Sequence, residues 1–170
     1  MITLSSIYWT IFHHDTWRLY VAATDEGLCY VGTPNAPFAE LSEWVQKRFP
    51  GHQPEQNDTV MTPYCEELRQ YLSGQLQQFE QPLHLIGTPF QMSVWQALQH
   101  IPHGRTCSYS DVATELGKEK AVRAVGTAIG ANPVLFVVPC HRVVGKDGSL
   151  TGYRGGMDVK EMLLKLEGVL

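Results

Sequence analysis

The chain has 170 residues, is 44 % hydrophobic and 18 % charged, and carries a formal net charge of −4 at pH 7. This length suits one domain or two small ones around a buried core, and the composition is that of a globular protein. No apolar run approaches the roughly 20 residues of a membrane-spanning helix, and Met1-Ile2-Thr3-Leu4 has no basic stretch ahead of an apolar one, so neither a membrane nor a secretory signal is expected.

In chain order, Arg18 to Cys29 reads as a hairpin turning at Asp25-Glu26-Gly27. Pro37 to Phe49 and Thr62 to Leu72 read as helices, each followed by a glycine, Gly51 and Gly74. Leu83 to Ile86 reads as a last strand. A boundary near Gly87 divides this mixed strand-and-helix part from the second half of the chain.

The second part carries sharper signals. Thr88-Pro89-Phe90-Gln91 combines an N-cap, a proline at the first helical position and a capping-box glutamine. Phe90, Val94, Trp95, Leu98 and Ile101 follow at helical spacing, ahead of Pro102. Ser110 is expected to cap a short helix bearing Val112, Ala113 and Leu116, ended by Gly117. A third helix is expected from about Lys120 to Ala131, stopped by Asn132-Pro133. Two short helices joined tightly at Gly117 suggest a helix-turn-helix. Val134 to Val138 reads as a short buried strand and Asp147-Gly148 as a hairpin turn. The final helix, Asp158 to Glu167, places Val159, Met162, Leu163 and Leu166 on one face.

Charge is not spread evenly. Residues 1–100 hold 4 basic and 10 acidic side chains, net −6, whereas residues 101–170 hold 9 basic and 7 acidic, net +2. The overall charge argues weakly against a nucleic-acid partner, and the mildly basic second half argues for one.

The third helix has an unusual outer face. Val122, Val125 and Ile129 share one side and should face the core. The other side carries Arg123, Ala124, Gly126, Thr127, Gly130 and Ala131, where a solvated helix is normally rich in Lys and Glu. Glycine inside a helix costs roughly 0.5–1 kcal/mol relative to alanine. Such smoothness lets a backbone approach a partner closely, and an arginine among small residues can reach into a duplex. Tight packing against another part of the protein reads the pattern equally well.

The four cysteines, Cys29, Cys65, Cys107 and Cys140, form no C-x-x-C pair, which predicts free thiols in a reducing cytoplasm. A lone cysteine after an apolar run is most often structural. Cys140 differs because Pro139-Cys140-His141-Arg142 sets a base beside it. The thiolate is the nucleophile, and an ordinary thiol, with pKa about 8.5, needs activation at neutral pH. His141 is the candidate proton acceptor, and a histidine acting so needs an orienting partner on its other nitrogen. Glu167 is the candidate carboxylate. Asn132 either ends the third helix or braces a turn near the cysteine. Tyr109 reads as a half-buried core tyrosine. Gly152-Tyr153-Arg154-Gly155-Gly156 reads as a surface turn or as a loop that sits closely on a ligand.

Together these segments resemble the O6-alkylguanine-DNA alkyltransferase family. The resemblance rests on Thr88-Pro89-Phe90-Gln91 with Val94-Trp95 and Ala97-Leu98, and on Ile101-Pro102 with Gly104, Thr106 and Ser108-Tyr109. It continues through Arg123-Ala124-Val125-Gly126, Asn132-Pro133, Pro139-Cys140-His141-Arg142-Val143, Gly152-Tyr153 with Gly155-Gly156, and Lys160 with Leu163-Leu164 and Glu167. It covers about residues 87–168. Residues 1–86 are similar to the family's variable N-terminal domain only loosely.

The resemblance implies an α+β fold: an N-terminal ribonuclease-H-like α/β domain, 1–86, then a C-terminal helix-turn-helix, winged-helix-like domain, 87–170, carrying the active site. It implies direct, irreversible, single-turnover transfer of the alkyl group from O6-alkylguanine in DNA to Cys140, with O4-methylthymine as a further substrate to consider. His141 falls on the proton acceptor, Glu167 on its orienting carboxylate and Asn132 on the residue that holds the active-site turn. Tyr109, Val143, Tyr153 and Arg154 fall on the substrate pocket, Tyr109 where the leaving guanine is polarised. Arg154 departs from the smaller residue common at its position. Arg123, Ala124, Gly126, Thr127 and Gly130 fall on a recognition helix that lies in the minor groove of double-stranded DNA, with Arg123 replacing the flipped base. A monomer is implied, with cooperation between copies on DNA a further expectation. No cofactor is expected, because the lesion is the alkyl donor. No metal is expected either, because His13-His14, Cys29 and His84 make no convincing ligand set. The competing readings are a non-catalytic alkyl-lesion binder of the same fold, a Cys-His-Glu acyl-transfer hydrolase and a plain helix-turn-helix regulator.

Overall fold

A computed structural model of the chain describes residues 6–170, so the expectation placed on Met1-Ile2-Thr3-Leu4 lies outside the described residues. The fold is α+β and divides into two units, Met1–Ile86 and Gly87–Leu170. No helix among the described residues is long and apolar enough to cross a membrane.

In the first unit a four-stranded sheet has the order β3-β2-β1-β4, with β1 Ile7–His14, β2 Trp17–Thr24, β3 Gly27–Val31 and β4 Glu55–Gln56. β1 and β2 are antiparallel, as are β2 and β3, while β4 joins β1 in parallel. The period of two along β1 serves both faces of the sheet. Ile7 and Trp9 join a cluster with Tyr30, Leu41 and Val45, the last two from α1, Phe38–Arg48. Thr10 and Phe12 face the other way. The Thr10 hydroxyl donates to Asp58 at 2.6 Å and Arg69 lies over the Phe12 ring, both partners belonging to α2, Asp58–Leu72.

The sequence reading missed one element of this unit and misplaced two others. Strand β1 carries no strong turn signal and escapes the sequence reading. The expected strand at 83–86 is a single bridge between Leu83 and Leu28, flanked by bonds from Leu28 N–H to the Pro82 carbonyl and from His84 N–H to the Leu28 carbonyl. Gly27, at φ +151°, makes room for that segment, since a Cβ there would stand 2.6 Å from the Pro82 oxygen. Helix α2 starts four residues before Thr62, because the Asn57 side chain caps it by accepting from Val60 N–H. Pro63 therefore sits inside the helix. His84, weighed as a metal ligand, instead pairs with Thr24 and Glu26.

The second unit opens with α3, Pro89–Leu98, whose capping box forms as expected: Gln91 N–H donates to the Thr88 hydroxyl and Thr88 N–H to the Gln91 side chain. Trp95 is fully buried and its indole N–H donates to the Ala128 carbonyl at 2.8 Å. That bond ties α3 to α5, Val122–Gly130. Between them lies α4, Tyr109–Glu115. Its cap is Ser108, not Ser110, because Ser108 and Asp111 satisfy one another's backbone N–H groups. The shift makes Tyr109 the first residue of the helix. The start of the expected third helix, Glu119–Ala121, is a 3-10 turn.

The run from Val134 to Val138 is buried but is not a strand. Phe136 adopts φ +70° and Val138 N–H bonds back to the Val134 carbonyl, so the run folds into a turn. The Asp147-Gly148 turn closes through Gly145 N–H to the Ser149 carbonyl, without a flanking hairpin. Instead β6, Val143–Val144, pairs in parallel with β5, Cys107–Ser108. The last helix, α6, covers Met157–Leu166. Its buried residues are Val159, Lys160, Leu163 and Leu164, whereas Met162 is exposed. A lysine is the residue type least expected inside.

Candidate active site

Cys140 opens a short 3-10 turn, Cys140–Arg142, that runs directly into β6. Pairing of β6 with β5 sets Val144 opposite Ser108, and so brings Tyr109, at the start of α4, to the same place as Cys140. Both line a cavity of about 300 Å³ together with Tyr153, Arg154 and the α5 residues Gly126 and Gly130. That volume lies at the lower end of small-molecule sites.

The thiol is buried, 6 % exposed. Asn132 holds it: the side-chain N–H₂ donates to Cys140 Sγ at 3.2 Å and to the Val138 carbonyl at 2.9 Å, and its oxygen accepts from Val134 N–H at 2.9 Å. Asn132 thus spans the turn that replaces the expected strand. Burial pushes the Cys140 thiol above its ordinary range, opposed by the Asn132 hydrogen bond and by the positive charges of Arg154 and Lys160. Burial pushes Cys65 and Cys107 up to about 11, with Arg69 opposing it at Cys65 and nearby carboxylates adding to it at both. All four cysteines are free thiols.

His141 is fully buried, and its Nε2 lies 2.7 Å from Glu167 Oε2. The carboxylate is shared. Arg142 donates from Nε to Oε1 at 2.8 Å and from a terminal nitrogen to Oε2 at 3.0 Å, and its other terminal nitrogen donates to the Ile101 carbonyl at 2.7 Å. Burial is the largest influence on His141 and lowers its pKa below the usual value, against the Glu167 hydrogen bond and charge, with the Arg142 charge offsetting part of the latter. A neutral imidazole with one nitrogen oriented by a carboxylate can take a proton at the other.

The other residues singled out from sequence, Val143 apart, divide between the cavity and the surface of α5. Tyr153 and Arg154 line the cavity, and Arg154 also donates to the Asn132 carbonyl at 3.0 Å. Val143, expected in the substrate pocket, does not line the cavity: its side chain is buried, its backbone pairs with Cys107 and its carbonyl accepts from Lys160 Nζ at 2.6 Å. Arg123, Ala124, Thr127 and Gly130 are on the exposed side of α5, and Gly126 is half-buried. A Cβ at Gly126 would meet the Tyr109 ring at an ordinary 3.6 Å, and one at Gly130 would meet nothing within 4 Å among the described residues.

Two residues here escaped the reading of the sequence as site residues. Arg142 had a signal, its place directly after a candidate base. Lys160 had one too, since it shares the phase of Leu163 and Leu164 along α6.

The chain matches the family description "6-O-methylguanine DNA methyltransferase, ribonuclease-like domain" over residues 7–85. Residues 89–169 match "6-O-methylguanine DNA methyltransferase, DNA binding domain". It is 52 % identical to the inducible methylated-DNA–protein-cysteine methyltransferase of Bacillus subtilis, over 95 % of this chain and 90 % of that one. It is 40 % identical to the methylated-DNA–protein-cysteine methyltransferase of Methanosarcina acetivorans, over 95 % and 99 %. Among solved structures, Mycobacterium tuberculosis OGT in complex with DNA is similar with a TM-score of 0.80 at 34 % identity, over 94 % of this chain and 92 % of that one. The O6-methylguanine-DNA methyltransferase of Pyrococcus kodakaraensis gives 0.71 at 28 % identity, over 96 % and 99 %. Matched to this family in both units, and to relatives 52 % and 40 % identical over 95 % of its length, the chain belongs to the methylated-DNA–protein-cysteine methyltransferase family.

Proposed function

We propose that this chain repairs double-stranded DNA by moving the alkyl group of O6-alkylguanine onto Cys140, once per molecule. The observation that carries this reading is a buried thiol, held by Asn132 and followed by a carboxylate-oriented histidine, in a cavity that also touches the glycines of α5. A mere lesion binder has no use for such a base. Every group the reaction needs lies within residues 87–170, so one chain acting as a monomer suffices. Its free thiols fit a reducing cytoplasm. The similarity to a relative solved in complex with DNA supports DNA as partner.

The alkyl group lies inside a stacked duplex, so the nucleotide must leave the stack, at a cost of a few kcal/mol. Helix α5 enters the minor groove, about 6 Å wide, where Ala124, Thr127 and Gly130 allow close approach and Arg123 fills the gap left by the base. In the cavity the thiol proton passes to His141 and Sγ attacks the alkyl carbon. The S–C bond forms as the O6–C bond breaks, and its electron pair stays with guanine. Guanine takes up one proton, equivalent to the one the thiol released. A hydrogen bond from the Tyr109 hydroxyl to the ring stabilises the developing charge. Tyr153 and Arg154 form the rest of the pocket wall. The product thioether has no route back, which makes the protein its own consumed reagent.

The test is the intact mass of the chain after mixing with duplex DNA containing O6-methylguanine. The expected result is the gain of one methyl, mapped to Cys140 by peptide sequencing, and no second turnover. An unchanged mass with correctly folded protein overturns the reading.

A further inference from the structure

Thr151 lies in a segment without helix or strand, yet it is held at two points. Its hydroxyl meets the Tyr109 hydroxyl at 2.7 Å. Its carbonyl accepts from Lys160 Nζ at 3.2 Å, and the same ammonium donates to the Val143 carbonyl at 2.6 Å. Lys160 is fully buried, so breaking either bond would strand a polar group away from water. The ammonium therefore clamps residue 151 to residue 143, three positions after Cys140. The Thr151 hydroxyl is thereby fixed with respect to the attacking sulfur, although it belongs to a loop.

A phenol hydroxyl turns easily about its C–O bond and has one proton to give. Once it donates to a guanine ring, its oxygen is best served by a donor of its own. We propose that Thr151 is a positioning residue for Tyr109: its hydroxyl donates to the phenol oxygen and so aims the phenol proton into the cavity. The proposal rests on the alkyl-transfer reading above. Tyr109 lines the cavity and Thr151 does not, so Thr151 acts through Tyr109 without touching the substrate. As charge develops on the leaving guanine, the two hydroxyls polarise in the same direction and each strengthens the other. No atom of Thr151 changes partner in the reaction.

The experiment measures the single-turnover rate of methyl transfer from an O6-methylguanine duplex in four variants: Thr151→Val, Thr151→Ser, Tyr109→Phe and the double variant Thr151→Val with Tyr109→Phe. Valine keeps the shape and removes the hydroxyl. The expected loss for Thr151→Val is about tenfold, the scale of one lost neutral hydrogen bond, with Thr151→Ser close to the unaltered chain. In the Tyr109→Phe background the valine change should cost nothing further, because the group it aims is gone. An unaltered rate in Thr151→Val overturns the proposal. So does an equal loss with and without the Tyr109 hydroxyl, or a serine variant as slow as valine. An unaltered chain that takes up no methyl overturns the repair reading and this role with it, whereas an active chain indifferent to Thr151→Val overturns this role alone.

Discussion

Arg142 and Glu167 form a two-pronged buried ion pair, at 2.8 and 3.0 Å, on the same carboxylate that holds His141 at 2.7 Å. Two neighbours in sequence thus compete for one charge. The arginine offsets part of the carboxylate's charge and the histidine is oriented by it, while burial lowers the His141 pKa.

Replacing Arg142 by Met would leave Glu167 buried with the imidazole alone. Removing one partner of a buried pair costs about 3–5 kcal/mol, and the Ile101 carbonyl also loses its donor. Urea denaturation of Arg142→Met should show a loss in that range. A loss below about 1 kcal/mol, the scale of a surface pair, would contradict the role given to the pair.

Burial lowers the His141 pKa, which fixes how stability varies with pH. The unfolded histidine titrates near its ordinary value of about 6.5, and the folded one below it. As pH falls between the two values, only the unfolded chain takes up the proton. This group's contribution to stability is therefore present above about 6.5 and is lost as pH falls towards the folded value. The same depression keeps the base neutral. Single-turnover rates measured from about pH 8 down to 5 should pass 6.5 without a break attributable to His141 and fall only below it. An acid limb centred at or above the ordinary value would refute the neutral base.

Arg123 is exposed on α5 and outside the cavity. In the proposed role of filling the emptied stack, it matters only for a base delivered from a duplex. Arg123→Ala should slow repair of duplex O6-methylguanine about a hundredfold, a loss of a few kcal/mol that corresponds to unstacking without the stand-in. Reaction with free O6-benzylguanine should stay nearly unchanged. Equal losses on the two substrates would remove the stack-filling role.

Gly130 offers a cleaner separation of fold from DNA contact, because a Cβ there meets nothing within 4 Å among the described residues. Gly130→Leu should leave thermal stability unchanged or raised by up to about 1 kcal/mol, since glycine is a poor helix former. Affinity for duplex DNA, read by fluorescence anisotropy at fixed salt, should fall about tenfold because a branched side chain blocks approach to the narrow groove. A destabilised variant with undiminished affinity would mean that the small face serves packing.

Much of the site is written locally. The Thr88–Gln91 capping box, the buried Val125 and Ile129 beneath an exposed face of small residues, and the juxtaposition of Cys140 with His141 all involve residues within a few positions of one another. Caps, helical periodicity and nucleophile–base neighbours act over such distances, so the residues themselves determine them. The local rules failed where a competing local bond was stronger, as when the Ser108–Asp111 box moved the start of α4, or where burial imitated a strand at 134–138.

What only the tertiary structure decided is which distant groups meet. Glu167 reaches His141 across 26 positions and Thr151 reaches Tyr109 across 42. Lys160 proves buried, not solvated, because two carbonyls wait for it. Arg142 proves a member of the site because the carboxylate at the end of α6 lies within its reach. Each of these depends on where helices and loops come to rest after the core has packed. A polar side chain is buried only when the far side of the fold supplies its partner, and no pattern of neighbours along the chain carries that information. Sequence therefore determined that Cys140 stands beside His141, while packing determined the charge around the pair and the Thr151 hydroxyl that meets Tyr109.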